Sequence, residues 1–149
     1  KGMDVLAQAA AAVPHLAVHV VGRPTWAMPP NVTSHPAADD EALRSLLARS
    51  RLLVHPARSE GFGYPPLEAM AAGVPVVAAR GGALPEVLGD AAVLVAPGDA
   101  DALARGIRRG LEDAALRRRL LERGRACATG YPPPDVARRL LAVLREVAP

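Results

Sequence analysis

The stretch Glu60-Gly61-Phe62-Gly63-Tyr64-Pro65-Pro66-Leu67-Glu68-Ala69-Met70-Ala71-Ala72-Gly73-Val74-Pro75-Val76-Val77 reads as a loop, a short helix and the start of a strand. Gly61 and Gly63 lack a Cβ and so admit backbone dihedrals closed to other residues. Pro66 suits the first helical position, where a missing N–H costs nothing, and Gly73 after Ala72 is a helix stop. Val74 to Ala79 then predicts a strand, and Leu52 to His55 predicts another just before the loop. Strands joined through a helix require a crossover connection, so the two run parallel.

Working outward, the same alternation fills the chain. Met3 to Val13 predicts an Ala-rich helix, and Leu16 to Val21 a buried strand closed by Gly22, Arg23 and Pro24. A short strand near Asn31 to Ser34 leads through the acidic Asp39, Asp40 and Glu41 into a helix ending about Ser50. Leu84 to Leu88 predicts a short helix, Ala92 to Val95 a strand, and Asp99 the cap of a helix running to about Leu111. Two further helices are expected after it. The fold class is therefore α/β: a Rossmann-like, three-layer parallel sheet with helices on both faces and ligands at the carboxyl ends of its strands. The loop after His55 falls at such an end. Because the pattern opens on a helix, a further strand is expected ahead of Lys1.

With 149 residues, half of them hydrophobic, the chain suits one domain burying roughly 70% of its unfolded surface. No apolar run approaches the ~20 residues that cross a bilayer. The lone Cys127 forms no internal disulfide, which fits a reducing, cytoplasmic setting. The net charge is +3, Lys1 is the only lysine, and many arginines follow Arg105, interleaved at helical spacing with Leu116, Leu120, Leu121, Leu140, Leu141 and Leu144. They read as solvated faces of amphipathic helices, and nothing favours a membrane surface over that reading. A nucleic-acid groove would bring stacking aromatics, but the chain has only Trp26, Phe62, Tyr64 and Tyr131. His15, His19, His35 and His55 are scattered along the sequence, so no metal site is expected. No Gly-x-Ser-x-Gly elbow, Walker loop or Gly-x-Gly-x-x-Gly fingerprint is present.

The chemistry concentrates in the opening stretch, which puts Glu60 in a loop and Glu68 in the first turn of a helix. Carboxylates accept hydrogen bonds in pairs and suit the vicinal hydroxyls of a ribose or hexose, while free N–H groups at a helix start suit a phosphate. An ordinary loop, followed by a helix whose acidic residue favours the dipole, fits the same residues. Composition and spacing leave both readings open.

The segment also resembles the Glu-x7-Glu signature of the retaining GT-B glycosyltransferases of family 4, the glycosyl transferases group 1. The resemblance takes in Val54-His55-Pro56, Gly81 to Val87, Gly89-Asp90-Ala91-Ala92, the Pro97 to Asp99 helix entry and the Lys1-Gly2 step. It covers nearly the whole chain, more weakly from Arg23 to Pro36 and after Tyr131. Two departures are Tyr64, where leucine is more usual, and Tyr131-Pro132-Pro133-Pro134, where an aromatic-Ser-Trp turn is usual.

The resemblance implies a nucleotide-sugar-binding domain over residues 1–149, the C-terminal half of a GT-B enzyme. An N-terminal domain outside these residues would take the acceptor, whether sugar, lipid or small molecule. The implied reaction is retaining transfer of a hexosyl group from a nucleoside diphosphate sugar to a hydroxyl, with the isolated chain inactive. Glu60 would be the catalytic-site carboxylate against the transferred sugar, helped by Gly61, Phe62 and Gly63, with Tyr64 also lining the donor. Glu68 would hold the ribose hydroxyls and Lys1 the diphosphate. The family's partner arginine would lie ahead of Lys1, and because Arg and Lys meet the diphosphate charge, no metal cofactor is implied. Two alternatives remain: a non-catalytic nucleotide-sugar-binding module, and a related GT-B phosphorylase or epimerase, which lacks this glutamate spacing.

Overall fold

The computed structural model describes residues 2–131. Strand β4 (Val76–Ala79) is its centre, buried at all four positions. It pairs in parallel with β3 (Leu53–His55), placing Leu53 opposite Val76 and His55 opposite Ala78. On its other side it pairs in parallel with β5 (Val93–Val95).

Because successive strand residues point to opposite faces, β4 feeds two cores. Val76 and Ala78 pack with Leu67 and Met70 of helix α3 (Tyr64–Ala71) and with Leu84 and Leu88 of helix α4 (Leu84–Leu88). Val77 packs instead with Val5 and Ala9 of helix α1 (Met3–Ala11) and with Leu103 and Ile107 of helix α5 (Ala100–Glu112). Gly106 lets α5 press onto the sheet, since a Cβ there would come within 2.9 Å of Val77 Cγ1. Helix α6 (Ala114–Thr129) closes over α3 in the same way, Gly124 facing Met70.

Aspartates cap three of the helix starts. Asp39 accepts from Ala42 N at 2.8 Å ahead of α2 (Asp40–Arg49), Asp99 from Ala102 N at 2.7 Å ahead of α5, and Asp113 from Leu116 N at 2.9 Å ahead of α6. Each such cap contributes about 1 kcal/mol. The expected elements are present with ends shifted by at most two residues, and α4 matches at both ends. The second helix expected near the C-terminus lies outside the described residues.

Two expectations need correction. The parallel strands divide into two hydrogen-bonded groups rather than one: β3, β4 and β5 in one, and β1 (Val18–Val21) with β2 (Val32–His35) in the other. The free edges of β1 and β3 border a groove of about 530 Å³, lined by Leu16, Val18, Val21, Leu53, Val54 and Ile107 among others. The second concerns α3, which begins at Tyr64 rather than Pro66. Gly63, at φ +104°, makes the turn into the helix, and both prolines fit the first turn, where N–H groups have no helical partner. Glu68 therefore stands in the second turn, not the first. Among the described residues, no helix is long and apolar enough to cross a membrane.

Candidate functional site

β3 ends at His55, and residues 56–63 cross the carboxyl end of the three-stranded sheet before α3 begins. The glycines of the following β4–α4 connection set the path of this loop. A Cβ on Gly81 would lie 2.3 Å from Arg58 O, and one on Gly82 would lie 2.2 Å from Glu60 O, so both glycines allow main chain to rest on main chain. Ala83 N then donates to Glu60 O at 2.9 Å.

The backbone of Glu60 is thus fixed from one side, and its side chain is fixed from another. His55 Nε2 lies 3.1 Å from Glu60 Oε2, with the two side chains 15% and 31% exposed. A carboxylate has no proton to give, so the imidazole donates. Glu60 is therefore held against the last residue of a core strand while part of its carboxylate faces outward.

Gly61 is exposed, and a Cβ built on it meets no atom within 4 Å. Its φ is not positive, so the unusual dihedral expected of it is absent. Gly63 does have that dihedral, and a Cβ there would strike Leu84 Cδ2 at 2.6 Å. Phe62 is half-buried against the α3–α4 core. Its ring lies 4.9 Å from that of the exposed Tyr64 and 5.5 Å, edge-on, from that of Tyr131. Glu68 is exposed on the second turn of α3. The loop and α3 thus bring Glu60, Gly61, Phe62, Gly63, Tyr64 and Glu68 into one unit, whereas Lys1 lies outside the described residues.

The N-terminus of α1 abuts this unit. Gly2, at φ +75°, leaves no room for a Cβ, which would stand 2.0 Å from Pro56 O. Asp4 in the first turn of α1 is ion-paired with Arg58. The Arg58 hydrogen bond holds the Asp4 carboxyl below its ordinary value, against a smaller opposing effect of burial. Arg58 is thereby engaged in a loop-to-helix bond. Glu86 is exposed in the first turn of α4. The histidines are less scattered than their spacing implied, because parallel pairing of β1 and β2 brings His19 Nδ1 within 3.0 Å of His35 Nε2 on an exposed face. Among the described residues no three His, Cys, Asp or Glu side chains gather as a metal site.

Sequence reasoning missed the His55–Glu60 bond and the seating of Gly81 and Gly82 on residues 58–60. The Gly81-Gly82 pair after a strand was the available signal for the second, since paired glycines mark close backbone approach. No spacing rule could have announced the first.

The family model for the glycosyl transferases group 1 matches residues 1–126. The chain belongs to this family. Among its curated relatives, an MMP alpha-(1->4)-mannosyltransferase of Mycolicibacterium hassiacum is 46% identical over 111 residues, covering 72% of this chain and 27% of that protein. Of solved structures, sucrose-phosphate synthase from Thermosynechococcus elongatus superposes with a TM-score of 0.82 at 28% identity, over 99% of this chain and 42% of the other. HepE of Anabaena, in complex with UDP and glucose, also gives 0.82, at 24% identity, over 99% of this chain and 45% of the other. The group 1 chain described here spans about a quarter of the length of the curated relatives it matches. In the group 1 fold, then, the Glu60–Glu68 unit occupies the carboxyl end of the β3–β5 sheet.

Proposed function

We propose that this domain holds the nucleoside diphosphate sugar donor of a retaining hexosyltransferase, and that the complete polypeptide transfers the sugar to an acceptor hydroxyl bound by another domain. The observation carrying this reading is the pairing of a fixed Glu60 with an open Gly61. Neither packing nor φ requires glycine at 61. Close approach of a ligand to the main chain does.

In this reading Glu60 accepts from hydroxyls of the transferred sugar, alongside Gly61, Phe62 and Gly63, and Tyr64 borders the donor. Glu68 accepts from the ribose hydroxyls, and Lys1 meets the diphosphate. Negative charge grows on the departing nucleoside diphosphate as the glycosidic bond breaks, so a cation and main-chain N–H groups there favour the transition state. No metal cofactor is needed for that role. Acceptor placement supplies the remaining rate through orientation.

The fold shared with HepE, whose structure holds UDP and glucose, supports a nucleotide-sugar donor. The mannosyltransferase relative makes a mannosyl nucleotide the first to try. The test is ligand-observed NMR of the domain with UDP, GDP and ADP, repeated on Glu68→Ala. Selective binding of one nucleotide, lost in the folded variant, is the expected result. Equal binding by both forms would remove Glu68 from its role, and absence of binding by the complete polypeptide would sink the donor-site reading. Donor turnover by the complete polypeptide separates the reading from a non-catalytic binding module.

A further inference from the structure

We infer that His55 is a positioning residue for Glu60, an inference that rests on the donor-site reading above. Its Nε2 donates to Glu60 Oε2 at 3.1 Å and fixes which way the carboxylate presents its remaining lone pairs.

The two ends of Glu60 are held by different parts of the protein. Its main chain is seated by Gly82 and by the Ala83 N–H. That seating does not orient the side chain, because a glutamate has three rotatable bonds beyond its Cα. The only side-chain bond holding this carboxylate among the described residues comes from His55. His55 is itself well anchored: it ends β3, sits opposite Ala78 in the register of the central pair, and precedes the buried Pro56 and Ala57. The sheet therefore sets the direction of a carboxylate that belongs to a loop. A group already oriented when substrate arrives loses little freedom on binding, and a misplacement of about 1 Å costs on the order of 100-fold in rate.

Because the loop backbone has its own supports, removing the imidazole changes the orientation of Glu60 more than the fold. That separates a positioning role from structural filling. The experiment uses the complete polypeptide, with wild type, His55→Ala, His55→Gln, Glu60→Gln and a double variant combining His55→Ala with Glu60→Gln. It follows nucleoside diphosphate release from GDP-mannose and from UDP-glucose, with thermal unfolding of each variant alongside.

His55→Ala is expected to lower kcat roughly 10- to 100-fold, with KM for the donor changed less than about threefold. His55→Gln, whose amide can donate from nearly the same place, is expected to recover most of the loss. In the Glu60→Gln background the His55→Ala change is expected to add little, the non-additivity that marks residues acting through one another. Full activity of His55→Ala beside a crippled Glu60→Gln would overturn the inference and leave the donor-site reading intact. So would a loss in His55→Ala that tracks its melting temperature, or one that adds fully in the double variant. Wild-type activity in Glu60→Gln would overturn both. If neither donor is turned over, the imidazole ¹⁵N spectrum of His55 decides: a protonated Nε2 in wild type that is altered by Glu60→Ala upholds the bond, and an unchanged spectrum overturns it.

Discussion

Gly82 rests on the main chain of Glu60, so closely that a Cβ on residue 82 would lie 2.2 Å from Glu60 O and 2.7 Å from Glu60 N. Its φ of +58° is also unfavourable to other residues. Gly82→Ala therefore cannot be accommodated without moving Glu60. The expected cost is about 1–3 kcal/mol of stability, read by urea unfolding, together with at least a tenfold loss of donor-sugar affinity, on the order of 1.4 kcal/mol. Unchanged stability and affinity would show that the contact is not what seats the loop.

Gly61→Ala should behave in the opposite way. A Cβ there meets no protein atom and the backbone is not in the left-handed region, so stability should stay within about 0.5 kcal/mol of wild type. In the proposed site donor affinity should fall all the same, because the new methyl would occupy space that the donor needs. A variant that loses stability rather than affinity would mean the glycine serves the loop and not the site.

These two glycines show what the sequence made legible and what it did not. The β3–loop–α3–β4 unit could be read directly, because Pro66 and Gly73 bound the helix and the β-branched residues on either side bound the strands. Asp39, Asp40 and Glu41 announced one helix as acidic residues that favour its N-terminus, and Asp99 announced another as its cap. What could not be read depends on residues distant in sequence: the contact of Gly82 with Glu60, the bond from His55, and the closing of Phe62 on Tyr131. The two-residue error at the start of α3 has a local cause. With Pro65 and Pro66 adjacent, either fits a first turn, and the choice is made by Gly63 adopting φ +104°, which leaves no trace in the periodicity. The separation of β1 and β2 from the other strands was likewise invisible: Leu16 to Val21 reads as a buried strand, whereas in the structure only Val20 of β1 is buried and Val21 is exposed beside the groove.

Asp4 and Arg58 tie α1 to the site loop, and the tie carries a pH signature. Arg58 lowers the folded-state Asp4 value below its ordinary 3.8. A carboxylate with a depressed folded value adds stability that is present above the unfolded value and lost as pH falls through the folded one. Wild type should therefore exceed Asp4→Asn in stability at pH 5 and above, and the difference should close below about pH 3.8. Melting curves of the two proteins across pH 2.5 to 7 check it, and a difference that persists at the acid end would assign the effect to something other than this ion pair.

The groove between β1 and β3 gives a prediction about chain length. Gly2 packs on Pro56, just past the carboxyl end of β3, so a strand leading into α1 would arrive there running parallel to β3. Such a strand would lie between the two free edges and cover Leu16, Val18, Leu53 and Val54. A polypeptide that carries such a strand ahead of Lys1 should be more stable than residues 1–149 alone by roughly 2–4 kcal/mol through apolar burial, a rise in Tm of roughly 5–15 °C. Hydrogen exchange should slow at the β1 and β3 amides in particular. A longer chain with the same Tm and the same exchange would leave the groove without this occupant.

The two glutamates should separate by ligand. Glu68 stands exposed on α3, and in the proposed site it accepts from ribose hydroxyls, which a bare nucleoside diphosphate and a nucleotide sugar share. Glu68→Ala should then weaken both by about 1–3 kcal/mol, the usual cost of losing one partner of a ligand hydrogen bond. Glu60 is assigned to the transferred sugar, which the bare nucleotide lacks. Glu60→Gln keeps the side-chain volume but replaces one acceptor oxygen with a donor, so it should leave UDP or GDP binding within about twofold while lowering sugar-nucleotide affinity by about 1 kcal/mol or more. Competition NMR with the nucleotide and its sugar conjugate reads both ratios on one sample. The assignment fails if Glu60→Gln weakens the bare nucleotide as strongly as the conjugate, because the carboxylate would then serve the nucleotide and the order of donor groups along the loop would have to be reversed.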